Sequence, residues 1–276
     1  MFYKIKSLRK IILPLLKKYS KDFWMSHHWT EDKFFLNSYL HKGYWFHGKN
    51  REKATLQFYE RIIRQGDIVI EVGGHIGYFS LFFSKLVGVK GKVFVFEPGD
   101  NNIEYTKRNI AQKNNIELYK KAIGDKNGKE KFYMDGITGQ NNSLVKEFKG
   151  LEVNMAYAMD KAAKVTETMV ETITMDTFCL EKNVKPNFIK IDVEGFEYNV
   201  LCGMEKTIHS HPIIMIEVQK NQELIYDFFQ KHNYILYNAL QEKVTKEYIK
   251  NCVTENIFCF HNAEVQNLQN NLILKS

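Results

Sequence analysis

The sequence predicts an α/β protein whose sheet is mostly parallel, and three observations lead there. From residue 68 onward, short apolar runs that read as buried strands alternate with stretches of helical spacing. The alternation recurs at short intervals, as crossover helices between parallel strands require. The first run ends in three glycines within five residues at the mouth of a helix, in "IVIEVGGHIGYFSLFFSK" (residues 68–85).

Taken in order, residues 1–64 read as helical with irregular breaks. "MFYKIKSLRKIILPLLKKYS" is an amphipathic lead-in helix broken or kinked near Pro14. "TLQFYERIIR" sets Leu56, Tyr59 or Glu60, and Ile63 at helical spacing before Gly66 stops it. "DIVIEVG" is then a strand, "GYFSLFFSKL" a helix and "KVFVFEP" a second strand. "DNNIEYTKRNIAQK" is a helix opened by Asp100, and "IELYKKAIGD" a third strand. The rhythm loosens after that. "KEKFYMD" reads as a hairpin strand, and residues 136–169 hold a Met-containing stretch read as helical. "VETITMDTFCLEK" passes from strand to helix near Met175, and "NFIKIDVEG" is a buried strand followed by a helix closed near Gly203. "PIIMIEVQ", "YILYNAL" and "NIFCFH" are the remaining strands, with "NQELIYDFFQKH" a helix between the first two.

The chain's 276 residues suffice for one large domain with an extension, and 44% apolar with 26% charged residues is ordinary for a globular protein. Charge divides it. Residues 1–64 hold fourteen Lys and Arg against five Asp and Glu, whereas the rest holds 25 against 27. The expected layout is a basic N-terminal helical extension over 1–64 and an α/β domain over 65–276, with an insertion at 135–170. A near-neutral body argues against a nucleic-acid channel through it. The basic head suits either a solvated face or an anionic contact such as phospholipid or a phosphorylated sugar. Cys179, Cys202, Cys252 and Cys259 form no CxxC pair and have no histidine partners at zinc spacing. A reducing, cytoplasmic compartment follows, with peripheral membrane contact through the basic head as its extension. The apolar core Ile11–Leu16 is too short for a signal peptide, and no stretch is long enough to cross a bilayer.

The glycine turn carries the chemistry. Glycines between strand and helix allow a tight turn and let a ligand lie against bare main chain, while the helix N-terminus offers free N–H groups. Glu97 closes the second strand twenty residues beyond Gly77, where an acid can bind both hydroxyls of a ribose. The spacing G-G-x-x-G breaks the G-x-G-x-x-G pattern of a dinucleotide site. With Glu71 two residues before Gly73, acid-x-G-x-x-x-G instead suits a ligand bearing an ammonium and a sulfonium, that is, S-adenosylmethionine. A tight turn with no ligand is the alternative.

"IEVGGHIGYFSLFFSK", "VFVFEPGDNNIEYTKRN", "KKAIGD", "NNSL", "TITMDTF" and "IKIDVEGFEYNVLCG…IIMIEV" resemble, in order and spacing, the FkbM-like S-adenosylmethionine-dependent methyltransferases across roughly residues 66–220. The resemblance implies a Rossmann-like seven-stranded sheet with an antiparallel last strand, helices on both faces, and methylation of hydroxyls on sugars and secondary metabolites. The family usually carries aspartate where Glu71 stands and asparagine where His75 stands. The implied cofactor residues are Glu71, Gly73, Gly74, His75, Gly77, Tyr78, Glu97, Asn102, Ile123, Asp125, Asn142, Ser143 and Asp192. Asp192 faces the methyl-transfer centre and Glu194 the acceptor side, and either serves as the base.

Strand ends bearing Glu71, Glu97, Asp125, Asp192 and Glu194 should therefore converge on one crevice, since ligands in open parallel sheets sit beyond the carboxyl ends of strands. Glu217 stands at the end of the next strand, as an acceptor contact, a metal ligand with Glu194 or a partner of a buried base. His209, His211, His27 and His28 lack a carboxylate at ligand spacing, and no metal is expected at them. The expected function is O-methylation of a sugar hydroxyl in a glycan or glycan precursor, with the 135–170 insertion as acceptor lid. A cofactor-binding scaffold without turnover is the alternative.

Overall fold

A computed structural model describes residues 6–136, 138–146 and 165–270. Its main sheet has seven strands among the described residues. From one edge these are β11 (Tyr234–Asn238), β12 (Glu255–His261), β10 (Ile213–Val218), β9 (Phe188–Ile191), β3 (Ile68–Val72), β4 (Lys92–Phe96) and β5 (Ile116–Tyr119). The five strands from β10 to β5 are parallel to their neighbours, and β12 runs antiparallel to both β10 and β11. The Rossmann-like methyltransferase sheet, with its last strand reversed, is the observed fold.

The sheet is buried on both faces, which is why its strands read as unbroken apolar runs. Val69, Val93, Val95, Phe188 and Met215 face α3 (Lys53–Ile62), α4 (Tyr78–Val87) and α5 (Asp100–Ile110). Ile70, Phe94, Ile189, Ile191 and Ile214 face α6 (Met175–Lys182), α7 (Glu197–Cys202) and α8 (Gln222–Lys231). Register aligns the strand tips: Val72 pairs with both Phe96 and Ile191, and Ile191 pairs with Ile216. Gly73, Glu97, Asp192 and Glu217 consequently form the next row.

Two expectations need correcting. Residues 22–37 are not helical. They form an antiparallel hairpin, β1 (Asp22–Ser26) with β2 (Lys33–Asn37), whose Phe34 and Leu36 share a core with α3, α4 and the sheet. Helix α1 (Lys6–Lys18) precedes it and continues through Pro14, and α2 (Lys42–His47) follows. The third predicted strand is two. After β5 the chain leaves the main sheet at Lys120–Lys121, and β6 (Ala122–Ile123) joins a three-stranded sheet with β8 (Val165–Ile173) and β7 (Gly128–Asp135). The Met-containing stretch read as helical, and with it most of the 135–170 insertion, lies outside the described residues.

Asn109 clips the hairpin to the domain. Its side-chain oxygen accepts from the Phe35 N–H at 2.5 Å, and its amide donates to Phe35 O and Ile76 O at 3.0 and 2.7 Å. Replacing it with alanine strands three buried backbone groups, so Asn109→Ala should cost about 2–4 kcal/mol in urea unfolding. A loss under about 0.5 kcal/mol would show that the clip does not hold the hairpin.

Candidate active site

The row of residues beyond the strand tips opens into a cavity of about 210 Å³. Gly73, Gly74, His75 and Tyr78 form its floor, Glu97 and Ile123 one end, and Asp192, Glu194 and Glu217 the other.

The glycine turn is pinned from below. The N–H groups of Gly73 and Gly74 both donate to Phe96 O at 3.0 Å. Gly73 has φ +89°, and a Cβ there would stand 1.9 Å from the carbonyl oxygen of Asp192. A Cβ on Gly74 would meet Val95 at 2.3 Å. Glycine is thus demanded by the approach of β4 and β9 as well as by any ligand. Gly77, at φ +82°, lies behind the cavity wall against Thr106 and Ile110 and lets α4 start.

His75 has φ +46°, and its ring is fully engaged: Nδ1 lies 2.9 Å from the Tyr44 hydroxyl and Nε2 3.2 Å from Thr138 O. A carbonyl only accepts, so Nε2 carries the proton and Tyr44 donates to Nδ1. Burial holds this imidazole neutral, well below its ordinary pKa.

Glu97 is buried and accepts from the His75 N–H at 2.8 Å, the Gly99 N–H at 2.9 Å and Asn102 Nδ2 at 3.2 Å. Burial nevertheless pushes it up to about 7. A carboxylate offers about four acceptor sites, so one remains toward the cavity, enough for a ribose hydroxyl. Asn102 supports Glu97 from behind and does not line the cavity.

Glu71 lies behind the turn, fully buried, and does not line the cavity either. Ser80 donates to one of its oxygens, the other has no partner, and burial pushes it up to about 7. Its register partner on β9 is Lys190, on the same face. Lys190 is 1% exposed and its ammonium sits 2.8 Å from Asp192 Oδ2. The carboxylate that actually stands beside Gly73 in the cavity is Asp192.

Glu194 has φ +56°, and Gln219 Nε2 donates to it at 2.9 Å and to Glu217 as well. Burial, then repulsion from Glu217 and Asp192, raises the pKa of Glu194 well above the carboxylate range, and burial with repulsion from Asp192 does the same for Glu217. Asp192, Glu194 and Glu217 each offer an oxygen within 4.8 Å of the others, a spacing able to hold a cation. The Lys190 ammonium already supplies positive charge there.

Asn142 lines the cavity and exchanges amide hydrogen bonds with Asn101, and Ser143 donates to the backbone oxygen of Glu194 at 2.7 Å, bracing it from outside. Asp125 is elsewhere: it is exposed and faces Asn199 at 3.4 Å. The departure of β6 from the main sheet carries it away, so the expected ring of five carboxylates is replaced by Glu97, Asp192, Glu194 and Glu217. Sequence reading missed Lys190, though a lysine between isoleucines in a buried strand was a visible signal. It also missed Tyr44, Arg51 and Glu52, which the N-terminal segment brings to the wall and which no spacing announces.

Residues 71–242 match the Methyltransferase FkbM domain family, more than half the chain. The chain belongs to that family. That family is one of methyltransferase domains. Among curated proteins it is similar to the hexuronic acid methyltransferase AglP of Haloferax volcanii, 23% identical over 155 residues. That match spans 56% of each chain, so this chain covers about half the relative's length. Among solved structures it is similar to M. jannaschii TYW2 in complex with AdoMet, with TM-score 0.44, 11% identity and 86% and 84% of the two chains covered. A precorrin-6y C5,15-methyltransferase from Geobacter metallireducens GS-15 gives 0.41, 12%, and 76% and 87%. The fold rests on the strand order and directions themselves.

The buried titratable groups set a pH dependence. Glu71 and Glu97 titrate at about 7 and Glu197 at about 8, all raised by burial from 4.5, so their stabilising effect is full below 4.5 and lost as pH rises through 7 and 8. Burial lowers His27 to about 4 and His41 to about 3 from 6.5, so theirs is full above 6.5 and lost as pH falls through 4 and 3. Between about pH 4.5 and 6.5 the three raised carboxyls outweigh the two lowered imidazoles, so the melting temperature of the free protein should peak near about pH 4.5 to 5 and fall toward pH 8. A melting temperature that climbs steadily to pH 8 would contradict this account.

Proposed function

We propose that the chain methylates a hydroxyl group of a sugar in a glycan or glycan precursor. The observation that carries this reading is the row Gly73, Glu97, Asp192 and Glu217, set by strand register, which brings a glycine floor and a carboxylate-lined end into one cavity. The sugar itself is supported by the acceptor end's chemistry, since carboxylates and the Gln219 amide are hydrogen-bond partners for several hydroxyls. The matched relative, a hexuronic acid methyltransferase, agrees in class.

When bound, S-adenosylmethionine supplies an electrophilic methyl on its sulfonium. Glu97 holds the ribose, Ile123 lies against the base, and Asp192, beside Gly73, takes the ammonium. Glu194 stands on the acceptor side and removes the hydroxyl proton. Its raised pKa suits a base working near neutrality. Alignment of hydroxyl and methyl, set by Glu217, Gln219 and the loop bearing Gly139, Gln140 and Leu144, supplies most of the rate.

The defining experiment is mass spectrometry of glycans made with and without the active protein, where a methyl group of 14 mass units (about one CH₂) should vanish when it is lost. With a glycan acceptor in hand, Glu194→Gln should lower kcat by about 10²–10⁴-fold. Glu217→Gln removes the negative neighbour that helps raise Glu194, so the acidic limb of the kcat/KM profile should move to lower pH. Wild-type kcat in Glu194→Gln would remove that residue as the base.

A further inference from the structure

We propose that the Arg51 guanidinium and the Tyr78 hydroxyl form the subsite for the carboxylate at the methionyl end of S-adenosylmethionine. This rests on the cofactor orientation given above, with the ribose at Glu97 and the ammonium at Asp192.

Arg51 lines the cavity although it lies far from the glycine turn in sequence. Its guanidinium carbon sits 4.3 Å from the centroid of the Tyr44 ring, a cation–π seat. On its other side is Gly43, where a Cβ would stand 2.9 Å from Nη1, so glycine makes room for it. The guanidinium is held in place yet forms no ion pair among the described residues, and its Nε is buried without an acceptor. The adjacent Glu52 also lines the cavity, but it accepts from Asn256 Nδ2 at 3.5 Å and makes no ion pair with Arg51.

Tyr78 opens α4 directly after the glycine turn and lines the same cavity. It is 2% exposed, and its hydroxyl is buried with no partner. The Tyr44 and Tyr78 rings lie 4.9 Å apart, and burial dominates at the Tyr78 hydroxyl, with Arg51 and Glu52 acting on it in opposite senses. Two buried donors without acceptors, converging on one wall of a ligand cavity, call for an anion. Their position selects which anion. Tyr44 is hydrogen-bonded to His75 in the turn itself, so Arg51 stands over the cofactor floor, whereas Glu194, Glu217 and Gln219 occupy the acceptor end at β10. A zwitterion lying across Gly73 would thus meet Asp192 with its ammonium and Arg51 with its carboxylate.

The test compares S-adenosylhomocysteine with 5′-methylthioadenosine, which keeps the nucleoside and lacks the amino-acid end, by calorimetric titration. Arg51→Gln should weaken S-adenosylhomocysteine about 10-fold or more and leave methylthioadenosine within about twofold. Tyr78→Phe, which removes one hydroxyl from a packed ring, should weaken S-adenosylhomocysteine about 3- to 10-fold with the same selectivity. Arg51→Lys should recover part of the loss. Equal weakening of both ligands would mean that Arg51 only shapes the pocket, and unchanged S-adenosylhomocysteine binding would overturn the subsite outright. If Arg51→Gln instead weakens only D-glucuronate, titrated onto the S-adenosylhomocysteine complex, the guanidinium belongs to the acceptor and the proposal fails. A wild-type protein that binds neither nucleoside would overturn the cofactor placement itself, a separate failure.

Discussion

Lys190 is a cation in the middle of a buried strand, 1% exposed, and the arrangement of the site follows from it. Burial works against its charged form, but Asp192 and Glu71 more than offset that, so its pKa is raised. Strand register makes this possible: Glu71 stands opposite Lys190 on β3, and Asp192 lies two residues further along its own strand. An unpaired ammonium at this depth would cost several kcal/mol, as would the carboxylates without it. The lysine therefore allows acids to gather at the strand tips where water is scarce. Without that charge, Glu71 would be an isolated buried acid and Asp192 would have no fixed direction.

The N-terminal segment completes the site rather than merely covering the domain. His27 donates from Nε2 to Tyr78 O at 3.1 Å, Asn109 grips β2, and Tyr44 bonds to His75. All three contacts converge on the glycine turn and the first turn of α4. The imidazole at position 75 reaches both the Tyr44 hydroxyl and Thr138 O. It thereby links the N-terminal segment to the loop after β7 across the turn. The basic composition of residues 1–64 reads as a surface property, yet one of its arginines, Arg51, lies at the cavity wall.

The sheet was legible because its strands are buried on both faces, so their apolar runs are uninterrupted and their tips carry the punctuation: Gly73 to Gly77, Glu97 and the Lys190–Gly195 block. The hairpin over 22–37 was not, because β1 alternates weakly, with Phe23 and Met25 inward and Trp24 exposed. Asp125 was misplaced for a topological reason. "IELYKKAIGD" reads as one strand by composition, and only the pairing of Ala122 and Ile123 with Thr172 and Ile173 shows that the chain has changed sheets. Glu71 was read as a ligand contact from its distance to the glycines. A strand residue one position short of the tip instead points into the layer below, here toward Ser80. Arg51, Tyr44 and Glu217's partner Gln219 reach the site through tertiary packing or a local turn that no one-dimensional spacing encodes.

The cavity's two ends differ in charge, and this restricts what can occupy them. Near Tyr78 the buried groups without partners are Arg51 Nε and the Tyr78 hydroxyl, whereas near β10 stand the carboxylates of Glu194 and Glu217, each taking a hydrogen bond from Gln219. Hydroxyl groups donate readily to such a pair, and one carboxylate freed of its proton is a base already in contact with the acceptor. A second anion beside it would meet repulsion in a poorly solvated space. A proton on either glutamate would limit that effect, because a protonated carboxyl is a donor. An acidic sugar is therefore compatible with the site only if its carboxylate faces the protonated member or points out of the cavity, while its reacting hydroxyl faces the ionised one. The protonation of Glu194 and Glu217 would then bear on both the orientation of the proposed acceptor and the removal of its hydrogen, tying acceptor choice to the pair proposed for the chemistry.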